Sequence, residues 1–191
     1  MPILEENAAP LPDETWPLTG IPSLTQGTAY IYRAPGHAKV VNPVIIAEGF
    51  PGGYPYDYLY DLVNQCGTLE RLRAAGYDVI LVSFANGLDT IQRNADVVVA
   101  CIQQAMSLTE APLVVGGVSM GGLIARYALA ALETHGYPHN TRLFITIDTP
   151  HGGAYTSLGD QWLAHYLAPA SAEAAAMAAL LDSSSNQQFV M

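Results

Sequence analysis

The segment from Leu113 to Tyr127 constrains the fold of this chain more than any other stretch. It contains a Gly-x-Ser-x-Gly pattern in which Gly117, Ser119 and Gly121 occupy the fixed positions. An apolar run rich in β-branched residues precedes this pattern, and apolar residues at helical spacing follow it. The sequence therefore predicts a buried strand, a tight turn at Ser119 and a helix. Glycine is expected on both sides of the turn because a side chain there would collide with the packed strand or helix.

A strand, turn and helix in this order are the context of a nucleophile elbow. The strained turn lifts the serine hydroxyl out of the edge of the sheet, where a substrate carbonyl can reach it. The alternative from the same residues is a glycine-rich turn with a purely structural role. We predict that Ser119 is a nucleophile, because the flanking patterns add specificity that the five-residue motif lacks by itself.

Composition and charge restrict the class of protein and of partner. The chain has 191 residues, of which 50% are hydrophobic and 13% are charged, as expected for one globular domain. The net charge of −10 argues against nucleic acid or an anionic membrane as a partner. No apolar run is long enough for an integral membrane segment. The N-terminus lacks the features of a signal peptide, so a cytoplasmic location is expected, although a secreted mature form would look the same.

Strand and helix patterns alternate along most of the chain. Strands are predicted at 27–33, 42–47, 78–84, 113–118 and 142–147, with helices at 69–75, 89–106 and 120–134 between them. This alternation predicts an α/β fold with a doubly wound, mostly parallel sheet. Residues 1–26 are predicted as an extended N-terminal arm on the domain formed by 27–191. The helical segment 155–191 is either a cap or lid over the site or a plain surface element.

A second informative stretch follows the predicted strand at 42–47. The loop that begins Glu48-Gly49-Phe50 is rich in glycine and lies where ligands bind in parallel sheets. We predict that the backbone N–H groups of Phe50 and Met120 form an oxyanion hole, whereas the alternative is an ordinary strand-to-loop turn. Tyr54 and Tyr56 either line a substrate pocket or pack a long loop.

These motifs, together with the turn Asp148-Thr149-Pro150-His151-Gly152-Gly153, resemble those of the α/β-hydrolase superfamily. The likeness is greatest to bacterial lipase- and esterase-like members, and it covers residues 27–190. It implies the N-terminal part of that fold, no cofactor, and a small-molecule ester or lipid as substrate. No spacing of metal ligands is visible, and two cysteines are too few for a disulfide framework.

The chain departs from the superfamily pattern in two places. Many lipases carry His-Gly where this chain has Glu48 and Gly49. In addition, the superfamily order is serine, then Asp or Glu, then histidine after the last strand. This chain stops soon after the predicted strand at 142–147. The domain is therefore expected to be incomplete, with a missing C-terminal segment or a partner chain.

A serine nucleophile needs a base and a group that orients the base. Asp148 is the candidate acid because it follows the predicted strand at 142–147, but many relatives place the acid one strand later, and Asp148 would then brace its turn. His151 is the candidate base, although a position three residues from Asp148 is awkward, and its alternative role is to hold the loop. His165 is a weaker candidate for the base.

The sequence thus predicts a serine hydrolase that cleaves a carboxylic ester through an acyl-enzyme on Ser119. One alternative is a hydrolase-like domain without catalysis, which binds a ligand or partner or is a fragment lacking its base. Another is an acyltransferase or thioesterase on the same scaffold, which would differ in the acceptor and not in the nucleophile.

Overall fold

A mixed six-stranded sheet forms the centre of the computed structural model, which describes residues 8–189. The strands are β1 (Glu14–Thr19), β2 (Gln26–Tyr32), β3 (Pro43–Ala47), β4 (Asp78–Phe84), β5 (Leu113–Val118) and β6 (Thr141–Ile147). Their order is β1-β2-β4-β3-β5-β6, in which the last four are parallel and the first two are antiparallel. The predicted α/β fold with a mostly parallel sheet is confirmed.

Helices cover both faces of this sheet. They are α1 (Tyr56–Val63), α2 (Thr68–Ala74), α3 (Ile91–Leu108), α4 (Met120–Thr134), α5 (Leu158–Leu167), α6 (Ala172–Leu181) and α7 (Ser184–Phe189). Helices α3 and α4 pack on each other over one face, and α1 and α2 cover the other. This arrangement is the doubly wound one predicted from the alternation of strands and helices.

Strand β4 lies in the middle of the sheet and is buried along its whole length. Ile80 and Val82 face the core under α3 and α4, whereas Val79 and Leu81 face the core under α1 and α2. Burial on both faces explains why this strand is an almost continuous apolar run in the sequence.

The predicted N-terminal arm contains a strand of the sheet. Residues 14–19 form β1, which pairs with β2 and buries Trp16 and Leu18 in the core next to α3. Two apolar residues with Pro17 between them make a weak pattern, so the strand was not predicted. The proline is tolerated because β1 is an edge strand. Residues 1–7 of the predicted arm and 190–191 of the predicted lid lie outside the described residues.

Strand β6 forms the opposite edge of the sheet as described, and its apolar side chains are exposed. Leu143 is 51% exposed, Phe144 is 36% exposed and Ile147 is 43% exposed. Ile145, between them, is only half-buried. The side chains of β6 are therefore not buried by packed helices as those of β4 are.

The two cysteines differ in accessibility. Cys101 is buried on α3, where burial raises the pKa of its thiol, and Cys66 is exposed. We expect a disulfide reagent to titrate one thiol rapidly in the folded protein and the second only after unfolding, because thiolate formation and access both control the reaction. Equal rates for Cys66 and Cys101 in the native protein would contradict this burial.

Candidate active site

Ser119 is the single residue between β5 and α4. Its backbone has φ of 52° and ψ of −125°, a conformation that costs energy for a residue with a side chain. Its N–H donates to the carbonyl oxygen of Ile147 over 2.8 Å, which ties the turn to the end of β6. The predicted strand, tight turn and helix are thus present, with the partly exposed serine at the carboxyl edge of the parallel strands.

The glycines on either side of Ser119 permit close backbone contacts. A Cβ at Gly117 would collide with the carbonyl group of Gly121 on the first turn of α4. A Cβ at Gly121 would collide with the carbonyl oxygens of Ala47 and Glu48 at the end of β3. The motif glycines therefore allow α4 to begin against both strands.

The loop after β3 reaches the same turn. A Cβ added at Gly49 would lie 3.2 Å from the Cβ of Ser119, so the loop backbone touches the serine. The hydroxyl of Tyr54 donates to the carbonyl oxygen of Phe50 over 2.9 Å. Phe50 directly follows Gly49, and Met120 directly follows Ser119. The structure therefore brings together the segments that carry both predicted oxyanion donors.

Glu48 is fully buried beneath this loop, at 0% exposure. Its Oε1 accepts hydrogen bonds from the N–H groups of Gly53 and Phe84, and its Oε2 accepts one from the N–H of Tyr54. Burial raises the pKa of the Glu48 carboxyl, and the hydrogen bonds from Phe84, Tyr54 and Gly53 offset part of that effect. These three N–H donors and the side chain of Ser83 stabilise the ionised form against the larger opposing effect of burial. Glu48 stands where many lipases carry histidine, but its hydrogen-bond partners could not be predicted from the sequence.

Asp148 and His151 lie in the loop after β6. Asp148 is exposed and has φ of 49°. The Nδ1 of His151 lies 3.5 Å from Nη1 of Arg126, and its Nε2 lies 3.4 Å from Oγ1 of Thr146. Within residues 8–189, no hydrogen bond joins either candidate to Ser119 or to the other.

This chain is similar to known proteins in structure, although comparisons of its sequence find no match. No protein-family model matches the chain, and no curated protein sequence matches it. DcsB, in complex with its substrate analogue, is similar at 12% identity and a TM-score of 0.56, over 86% of this chain and 54% of that one. The esterase Est22 is similar at 16% identity and a TM-score of 0.55, over 78% of this chain and 47% of that one.

A third similar structure is XC6422 from Xanthomonas campestris, described as a serine hydrolase of the α/β type without a lid. It shares 19% identity at a TM-score of 0.53, over 76% of this chain and 65% of that one. This chain has the α/β-hydrolase fold. It spans about half the length of DcsB and Est22, at 54% and 47% of those chains.

Several tyrosines of this domain lie beside the loop after β3. Tyr56 begins α1, so the segment predicted as a long loop of tyrosines is largely helical. The ring of Tyr54 packs against Tyr58 at 4.8 Å between centroids, and that of Tyr56 packs against Tyr30 at 6.1 Å. Tyr54 also lines a cavity of about 270 Å³ with Tyr30 and Phe84. Tyr56 does not line this cavity.

The C-terminal helices pack on one another, and α7 contacts the segment that follows β4, where the N–H of Ser185 donates to the carbonyl oxygen of Leu88. His165 on α5 has its Nε2 3.3 Å from Oδ1 of Asp182 after α6, and so pairs within this segment. The side chain of Gln188 on α7 accepts a hydrogen bond from the N–H of Ile91 and donates one to Gln92. The segment therefore reaches the start of α3, while Trp162 on α5 stays exposed.

None of the helices within residues 8–189 has both the length and the apolar character of a membrane-spanning segment. In the same part of the chain, no group of three or more His, Cys, Asp or Glu residues could hold a metal ion.

Proposed function

We propose that this domain belongs to a serine hydrolase that cleaves a carboxylic ester through an acyl-enzyme on Ser119. The observation that carries the proposal is the strained backbone of Ser119 between β5 and α4, in contact with the loop at Gly49. Such a turn exposes a serine hydroxyl and sets backbone N–H groups around it. The names of Est22, an esterase, and XC6422, a serine hydrolase, agree with this class of chemistry.

The proposed reaction has two displacement steps. The Oγ of Ser119 attacks the ester carbonyl, and its proton passes to a base while the N–H groups of Phe50 and Met120 stabilise the negative oxygen. The bond to the alcohol then breaks, and the alcohol leaves with that proton. Water attacks the acyl-enzyme in the same way, which releases the carboxylic acid and restores the serine hydroxyl.

We assign the substrate to small-molecule esters or lipids without anionic groups. The net charge of −10 disfavours acidic substrates by repulsion. Tyr54 and Tyr56 are the proposed substrate-binding residues, because they flank the loop that touches Ser119. The 270 Å³ cavity that Tyr54 lines is not lined by Ser119, Met120 or Phe50 and does not enter this assignment.

We assign the base to a segment or partner chain that pairs with the open edge of β6. The end of β6 is hydrogen-bonded to the Ser119 N–H, so the loop after a further parallel strand would lie at the same edge as the serine. The exposed Leu143, Phe144 and Ile147 support such a partner, because they are apolar and uncovered. His151 then holds the loop after β6 through its contacts with Arg126 and Thr146, and Asp148 is a residue of that loop.

The test is covalent labelling with a fluorophosphonate in extracts of the cells that produce the protein, where any partner is present. We expect labelling of the wild-type chain, complete loss in Ser119→Ala and no change in the control Ser107→Ala, an exposed serine on α3. Labelling of the purified chain is expected to be at least about 10-fold slower, because in this proposal another segment or a partner chain supplies the base. Equal rates would contradict an external base.

A second candidate is a hydrolase-like domain that binds a ligand without catalysis. It is favoured by one observation: within residues 8–189, no hydrogen bond joins the Ser119 hydroxyl to a histidine or a carboxylate. A folded protein that is not labelled in either preparation would contradict the proposed hydrolase and support this candidate.

A further inference from the structure

The loop that begins at Glu48 is closed by the side chain of this first residue. Glu48 lies at the end of β3, and its carboxylate accepts the N–H groups of Gly53 over 2.7 Å and Tyr54 over 3.0 Å, at the far end of the loop. The same carboxylate accepts the N–H of Phe84, at the end of β4. One buried side chain thus joins both ends of the loop and the neighbouring strand.

This closure determines where the loop backbone meets Ser119. The far end of the loop is hydrogen-bonded to Glu48 at its beginning, and between them Gly49 lies next to the serine. A Cβ added at Gly49 would lie 3.2 Å from the Cβ of Ser119. The hydroxyl of Tyr54, whose N–H is bound by the carboxylate, donates to the carbonyl oxygen of Phe50. The orientation of the peptides around Phe50 therefore depends on the position of Glu48.

We propose that Glu48 is a positioning residue, which holds the Phe50 N–H at the distance from Ser119 that the reaction requires. The inference rests on the proposed hydrolase function. Glu48 does not touch the substrate in this account but acts through the loop that it closes. A displacement of the Phe50 N–H by about 1 Å or less is enough to slow the reaction strongly.

The chain supplies a matched control in a second buried carboxylate. Asp78 is also 0% exposed, and it accepts three backbone N–H groups, from Ala34, Val41 and Asn42. It lies at the start of β4, at the opposite end of the parallel strands from Ser119. Replacing either carboxylate by its amide therefore alters a buried acceptor of three backbone N–H groups, but only one of the two adjoins the loop that touches the serine.

The experiment measures fluorophosphonate labelling of the full protein from its own cells, over a range of probe concentrations and below the melting temperature of each variant. For Glu48→Gln we expect the maximal labelling rate to fall by about 10- to 100-fold, with the half-saturating probe concentration within about 3-fold of wild type. Asp78→Asn is expected to retain the wild-type rate, although both variants melt at lower temperatures. A purely structural role would slow both or neither.

A second variant covers the case in which Glu48→Gln does not fold. Tyr54→Phe removes only the hydroxyl that binds the Phe50 carbonyl, and we expect labelling about 3- to 10-fold slower with a native fold. Wild-type rates in both Glu48→Gln and Tyr54→Phe, or an equal loss in Asp78→Asn, would overturn the inference while the proposed function stands. Absence of labelling in wild type would overturn both.

Discussion

Replacing Gly121 by alanine is expected to destabilise the protein by about 3 kcal/mol or more, at the upper end of the cost of an overpacked site. The added Cβ would collide with the carbonyl oxygens of Ala47, the last residue of β3, and of Glu48 directly after it, which are buried backbone atoms and cannot move aside as a flexible side chain would. Because each kcal/mol lowers the melting temperature of a domain of this size by about 2–4 °C, we expect a fall of about 10 °C. Thermal unfolding followed by circular dichroism measures it.

The control for this prediction is Gly152→Ala. Gly152 has no neighbour within 4 Å of an added Cβ and no positive φ, so the same substitution is expected to change stability by less than about 0.5 kcal/mol. A melting temperature of Gly121→Ala within about 2 °C of the control would contradict the close approach of α4 to β3.

The region around Ser119 could be predicted from sequence because its constraints are local. The turn requires glycine at fixed distances from the serine, and the strand and helix on either side have clear periodicities. The edge strand β1 and helix α1 could not be predicted in this way. In β1 only Trp16 and Leu18 alternate around a proline, and in α1 the tyrosines at every second position obscured the helical spacing of Leu59 and Val63.

The polar groups that organise the loops could not be predicted for a different reason. The partners of Glu48 and Asp78 are backbone N–H groups, which every residue except proline carries, and some lie more than 35 positions away in sequence. No residue type marks such a partner. Asp148 is the candidate acid and His151 the candidate base from their place after a predicted strand and from the order of the superfamily, whereas their actual contacts depend on the loop after β6. The identity of the catalytic acid and base is therefore still a proposal, whereas the fold is shown by the structure.

Replacing Asp78 by alanine is expected to destabilise the protein by about 4 kcal/mol at neutral pH. The substitution leaves three backbone N–H groups and the Nδ1 of His37 without the carboxylate that they contact, in a site at 0% exposure. Each buried donor that loses its partner costs about 1–3 kcal/mol, part of which water recovers by entering the space. Urea unfolding of wild type and variant measures the difference, and Asp61→Asn, at an exposed position, is expected to stay within about 0.5 kcal/mol.

The stability difference between wild type and Asp78→Ala is also expected to depend on pH. Burial opposes ionisation of Asp78, but the N–H groups of Val41, Ala34 and Asn42, together with His37, outweigh it and hold the pKa of this carboxyl below its ordinary value. Its contribution to stability is therefore complete above the unfolded pKa of about 3.9 and is lost as the pH falls through the lower pKa of the folded state. The gap between wild type and Asp78→Ala should shrink as the pH falls below about 4. A gap that stayed constant or widened on acidification would show that the stabilising form of Asp78 is not the carboxylate, and the hydrogen bonds drawn to it would have to be reassigned.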